Sequence, residues 1–340
     1  MTRHVHLVGS IGLDSTQEVF DTVGAAIKPY LKRCPDGEPG VRRLWISYQW
    51  PLLRATSFLR PASDVAIPGV GLCALKLTDN VAPADIRFGE LGYAREARTS
   101  YQDFLAARQR GTLGPQTRFQ VCLPTPLAVV GSFVVPQDVP KVLPAYEQAM
   151  VREAQRICAE IPAHDLALQW DVCIEMVQWD GRSSALPPLP DQAEIFSGQF
   201  ARLTAAIPEP VELGFHLCYG DMDAKHFVEP LDLGKAVELA NLIVGASRHR
   251  VNWLHMPVPM TRDDSGYFAP LRNLVRGDTE LYLGLVHAED GVAGTVRRMR
   301  SASAVVPDFG IATECGFGRA RTRSLVERLI QIHAEAARAL

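Results

Sequence analysis

A chain of 340 residues, 47% of them apolar, is long enough for one large domain or two modest ones. A net charge of −3 gives no general attraction to nucleic acid or to an anionic membrane. Seven scattered cysteines, no apolar leader and no run of about 18 uncharged apolar residues argue against a disulfide framework, a signal peptide and a membrane span, so the expectation is a soluble, cytoplasmic protein.

Residues 4–10 (HVHLVGS) are the first strand candidate. Apolar residues at helical spacing (Val19, Phe20, Val23, Ile27 and Leu31) predict a helix over 15–31. Residues 34–40 (CPDGEPG) read as a turn, and 43–49 (RLWISYQ) as the second strand. From 50 to 100 the patterning is lost, with GVGLCALKL (69–77) as a strand or hairpin arm. A stretch this long is either a functional excursion or a misreading. It is taken as an insertion after strand two, placed to cover a site.

Residues 101–110 predict a helix, 117–123 the third strand and 137–160 a long helix. The fourth strand is 165–175 (DLALQWDVCIE), followed by a Pro- and Ser-rich loop over 179–190 and a helix over 191–206. The fifth strand, 211–218, precedes a helix over 231–248. The sixth, 250–256, precedes a short helix over 270–276. The seventh, 280–287, precedes a helix over 292–301, and the eighth, 309–314, precedes a terminal helix over 319–340.

Eight strand candidates, most followed by a helix and with no linker between them, predict a single α/β domain over 1–340. Its expected form is a (β/α)8 TIM barrel, with an open doubly wound sheet as the alternative. Val8-Gly9-Ser10-Ile11-Gly12 matches the dinucleotide-binding glycine pattern only in part, which disfavours a nucleotide cofactor.

In such a barrel the active site lies at the C-terminal ends of the strands. Those ends carry Ser10, Gln49, Thr125, Asp171 with Glu175, His216 with Cys218, His255, His287 with Glu289, and Glu314 with Cys315. His216 and Cys218 are two residues apart on one strand and so face one way. Imidazole and thiolate are a good zinc pair, and Cys315 is the candidate third ligand. A helix N-terminus just after Cys315 would lower its pKa. Three ligands leave one tetrahedral position open, which a catalytic zinc needs. The alternative is that both cysteines are small buried apolar residues and His216 a hydrogen-bonded core residue.

GFHLCYGD (214–221) and TECGFGR (313–319) resemble the two metal-ligand segments of the cobalamin-independent methionine synthase family. Its relatives include zinc-dependent thiol alkyltransferases, and its wider fold group includes uroporphyrinogen decarboxylase. Val8-Gly9-Ser10, Asp36-Gly37-Glu38, Asp171 and His287 are similar to further family segments in the same order. The resemblance spans nearly the whole chain but only the catalytic barrel of a two-barrel synthase. It implies Zn2+ as cofactor and Glu38 at the amino group of a thiol substrate. The family's third ligand is a Glu on the sixth strand; here that strand reads Asn252-Trp253-Leu254-His255-Met256-Pro257. Either His255 substitutes as a nitrogen ligand or the metal keeps three protein ligands.

The expected function is zinc-dependent alkyl transfer, methyl foremost, in which a zinc-bound substrate thiolate attacks an alkyl donor and forms a thioether. His287 would protonate the leaving group, and Asp171 with Glu38 would hold a cationic group. Ser10 and Glu175 are further substrate contacts, and Trp179 and Tyr219 would stack on a planar substrate. A structural hydrogen bond for His287, solvated or capping acids, and simple packing of the aromatics are the alternatives. The thiol, the donor (folate, corrinoid or other) and the oligomeric state, including a homodimer, stay open. Rival functions are a metal-independent decarboxylase or lyase on the same barrel, and a methyl-handling partner of a corrinoid protein.

Overall fold

The structure, a computed structural model, describes residues 3–67, 71–221 and 225–339. Its strands are β1 (Arg33–Pro35), β2 (Leu59–Ile67), β3 (Leu72–Leu77), β4 (Arg118–Pro124), β5 (Leu166–Val172), β6 (Glu212–Leu217), β7 (Trp253–Pro257), β8 (Glu280–Val286) and β9 (Gly310–Thr313). Seven of them form one curled parallel sheet in the order β1-β4-β5-β6-β7-β8-β9; β2 and β3 pair separately as an antiparallel hairpin. Every residue of β5 and β7 is buried, as expected of parallel strands covered on both faces. Helices such as Thr16–Ile27, Val139–Glu160, Gln192–Ala205, Gly234–Ala246, Gly291–Ser303 and Arg323–Ala336 supply the covering apolar faces.

The sheet corrects the expected (β/α)8 TIM barrel: it has seven strands and is not a closed eight-stranded barrel. The segment expected as strand one makes isolated bridges only, from Val5 to Leu31 and to Ile311. Its neighbours are short, three residues in β1 and four in β9, so no ladder extends along it. The chain then turns to place Ile11 against Gly37 and Phe317.

Strand two is also displaced. Residues 43–49 do not form a strand; a 3-10 helix, Gly40–Leu44, is followed by a turn and the helix Gln49–Arg54. The sheet strand is β1, which overlaps the start of the stretch read as a turn. Burial decides the matter, since Arg33, Cys34 and Pro35 are all buried. The 50–100 stretch contains the β2–β3 hairpin, which rests on Val134 and Val135. Gly69 and Val70 of the expected hairpin arm lie outside the described residues. Two helices that the sequence did not signal, Pro126–Phe133 and Ile174–Asp180, follow β4 and β5.

At the N-terminal end of the sheet lies a buried ion network. Arg33, 3% exposed, bonds Glu212 on β6 at 2.6 Å and Glu280 on β8 at 2.9 Å. Its guanidinium sits 4.2 Å from the centroid of the Trp253 ring. Arg118 joins Glu212 and Lys32 joins Glu280. Burial works against the Glu280 carboxylate, but Arg33 and Lys32 outweigh it and hold the group at about 2, below the ordinary 4.5.

Arg33→Ala removes the shared partner of two half-buried carboxylates, which keep Arg118 and Lys32, and is expected to lower unfolding free energy by about 1–3 kcal/mol in urea denaturation. The depressed Glu280 gives stabilisation that is complete above pH 4.5 and is lost as pH falls towards 2. Glu280→Gln should flatten the stability–pH curve across that interval; an unchanged curve would disprove this assignment.

Candidate metal centre and active site

Parallel register lines up three adjacent strands: Asp171 on β5 pairs with His216 on β6, which pairs with His255 on β7. Gly214 allows this closeness, because a Cβ there would lie 2.0 Å from the Trp253 indole. Cys218 follows β6 and is anchored by its main-chain N–H, which donates to the Val172 carbonyl at 3.0 Å. Cys315 follows β9. Its loop approaches Ser10 so closely that a Cβ on Gly316 would sit 2.4 Å from Ser10 Oγ.

Three side chains converge. The donor atoms of His216, Cys218 and Cys315 lie within 4.8 Å of one another, with the two sulfurs 3.7 Å apart. His216 Nε2 is buried and has no hydrogen-bond partner. A buried polar atom normally has one, so an unpartnered imidazole nitrogen beside two thiols fits a thiophilic cation. The hydrogen bond shared with Cys173 pushes the Cys218 thiol up, against a smaller opposing effect of Cys315. Cys315 is raised by its contact with Cys218 and by burial. A cation would have to displace both protons.

His255 stands behind His216 rather than among the donors. Its Nδ1 is 2.7 Å from His216 Nδ1, and its Nε2 is 3.0 Å from the Thr313 carbonyl. Both nitrogens are engaged.

One side of the cluster opens on a cavity of about 40 Å³, lined by Ser10, Glu38, Trp45, Asp171 and Cys173 with the three donors. Burial lifts Asp171 to about 7, opposed by hydrogen bonds from the Gln169 amide, at 2.9 Å, and from Trp45. Glu38 is pushed well up by burial and by the nearby Asp171 and Asp36. Among the described residues no Lys or Arg lines this cavity, and Arg42 and Arg319 act on Glu38 from outside it. Glu38 and Trp45 both sit at positive φ, 53° and 57°, a strained backbone for side chains of this size.

Cys315 also borders a larger cavity of about 730 Å³, together with His226, Glu229, His287, Glu314 and Arg321. Arg321 is paired with Asp221 at 2.8 Å. His287 donates from Nε2 to the Val258 carbonyl at 2.9 Å, while its Nδ1 lies 3.7 Å from Glu314. Burial, and then Arg298, push this imidazole down to about 4, so it is neutral near pH 7. The near-neutral titration expected of it is not what these surroundings produce.

Of the expected site residues, Ser10, Glu38, Asp171, His216, Cys218 and Cys315 share one cavity, and His287 lines the other. Glu175, Trp179 and Tyr219 line neither. Glu175 is buried, accepting from Thr125 at 3.0 Å and from Gln199. Trp179 packs on Phe196, and Tyr219 is fully buried near the His226 ring. Trp45, Cys173, His226 and Thr313 were not singled out from the sequence. Glu314 was visible only as a neighbour of Cys315, and Trp45 was concealed by the misplaced second strand.

Neither a protein-family profile nor a curated protein matches this sequence. Solved structures do match in fold. One is a candidate vitamin-B12 independent methionine synthase from Listeria monocytogenes, 16% identical, with a TM-score of 0.59 over 99% of this chain and 98% of that one. Another is a B12-independent methionine synthase from a Shewanella species in complex with selenomethionine, 14% identical, with a TM-score of 0.63 over 98% and 97%.

Gly316→Ala should cost about 1–3 kcal/mol through overpacking against Ser10, read as a lower thermal midpoint. An unchanged midpoint would mean that the approach of the two loops is not constrained. The fold of this chain is that of the B12-independent methionine synthase structures.

Proposed function

We propose that this chain is a zinc-dependent alkyltransferase, most simply a methyltransferase, that makes a thioether from an aminothiol. One observation carries the reading: the His216 imidazole, whose buried Nε2 has no hydrogen-bond partner, converges with two thiols. His216, Cys218 and Cys315 would hold the metal. Zinc bound there would hold the substrate sulfur and lower its pKa. The Gly220 main-chain N–H, 3.3 Å from Cys218 Sγ, supports negative charge on that ligand.

Glu38 and Asp171 support an ammonium group on the substrate. Both are buried acids whose shared cavity no Lys or Arg lines among the described residues, Arg42 and Arg319 acting on Glu38 only from outside it, and a substrate ammonium would supply a cation there. A cavity of about 40 Å³ does not hold an amino acid, so the cavity wall has to move on binding. The larger cavity, meeting the first at Cys315, supports entry of the alkyl donor from the opposite side. The names of the two solved neighbours, and the selenomethionine bound to one of them, favour homocysteine as the thiol and methyl as the group. In the reaction a C–S bond forms on the substrate sulfur as the alkyl carbon leaves its donor.

Purified protein should contain about one equivalent of zinc by elemental analysis, lost in Cys218→Ser and in Cys315→Ser. Metal-free protein with full alkyltransferase activity would end this reading. Glu38→Gln and Asp171→Asn should keep the zinc and raise the aminothiol KM roughly 10-fold or more, the worth of a charge-assisted hydrogen bond. An equal loss with thiols that lack the amine would show that these acids do not bind it.

A further inference from the structure

We infer that His255 is a positioning residue: it fixes the ring tautomer of His216 and, through Thr313, couples that ring to the main chain of Cys315. The inference rests on the zinc reading above. It begins at Thr313, whose main-chain carbonyl can only accept a hydrogen bond. His255 Nε2, 3.0 Å away, therefore carries a hydrogen. A neutral, fully buried imidazole with its hydrogen on Nε2 has a bare lone pair on Nδ1. That atom lies 2.7 Å from His216 Nδ1, which must donate. His216 is left with its lone pair on Nε2, the buried atom that has no hydrogen-bond partner, and this is the ring nitrogen left free to join the two thiols of the cluster.

Thr313 acts at both ends of the cluster. Its carbonyl holds the two-imidazole chain, and its Oγ1 donates to the Cys315 carbonyl at 2.7 Å. The nitrogen ligand and one sulfur ligand are thus referred to a single residue at the end of β9. His255 has no nitrogen to spare for the metal, which accounts for its position outside the donor cluster. Outer hydrogen bonds of this kind orient a ligating imidazole and raise its basicity, and their loss costs roughly 10–100-fold in metal affinity.

The test measures zinc dissociation constants of the full chain by competition with a chromophoric chelator, for wild type, His255→Phe and His255→Gln. Phenylalanine keeps the ring volume and loses both hydrogen bonds. Glutamine can accept from His216 and donate to Thr313. The Phe variant should bind zinc roughly 10–100-fold more weakly, the Gln variant should lie between, and circular dichroism should match throughout. Nitrogen-15 NMR of the metal-free wild type should place the His216 hydrogen on Nδ1. Wild-type affinity in a folded Phe variant overturns the inference. So does X-ray absorption of the zinc-loaded wild type if it finds two imidazole nitrogens on the metal. If the Phe variant does not fold, the NMR tautomer decides, and a hydrogen on His216 Nε2 refutes the inference. A wild type that binds no zinc would defeat the proposed function instead, while the tautomer still decides the positioning role.

Discussion

Parallel pairing of β5, β6 and β7 puts Asp171, His216 and His255 side by side at one level of the sheet. The rest of the site follows from that register. A slip of one residue would turn every one of these side chains to the opposite face. Trp253, seated against Gly214, helps hold it, because no other residue leaves room for the indole. Main-chain ladders are worth little apiece in net terms. They are cooperative, however, and they place groups without spending side chains on the task.

Two kinds of polar group are buried in this molecule, and they serve opposite ends of the sheet. At the N-terminal end, Arg33, Glu212 and Glu280 satisfy one another almost completely. At the other end the groups are left partly unsatisfied: His216 Nε2 has no partner, and no Lys or Arg among the described residues lines the cavity that Glu38 and Asp171 share. A buried atom without a partner costs free energy. Such groups persist where a ligand completes them, and the satisfied network helps to offset that cost.

Cys315 has a double position. It is one of three donors around the small cavity and also part of the wall of the large one. The proposed transfer would bring two substrates together, and a wall residue shared by two cavities is consistent with that proposal. Gly316 and Gly318, which follow it, permit the approach to Ser10. Thr313, two residues earlier, fixes its main chain.

Local chemistry made much of this legible in advance. The spacing of His216 and Cys218 put those two side chains on one face, because a period of two is a property of neighbouring residues, whereas the convergence of Cys315 with them is a product of the folded chain. The strands from residue 117 onward were readable for the same reason. Tertiary structure decided the rest. Whether residues 4–10 or 43–49 join the sheet depends on the length of the neighbouring ladder and on which segment buries Arg33, and neither is written locally. Which acid faces a cavity was equally non-local: Asp171 and Glu38 do, while Glu175 is spent on Thr125 and Gln199. The place of His255 depended on a carbonyl 58 residues away, since only a folded chain shows which nitrogen already has a partner.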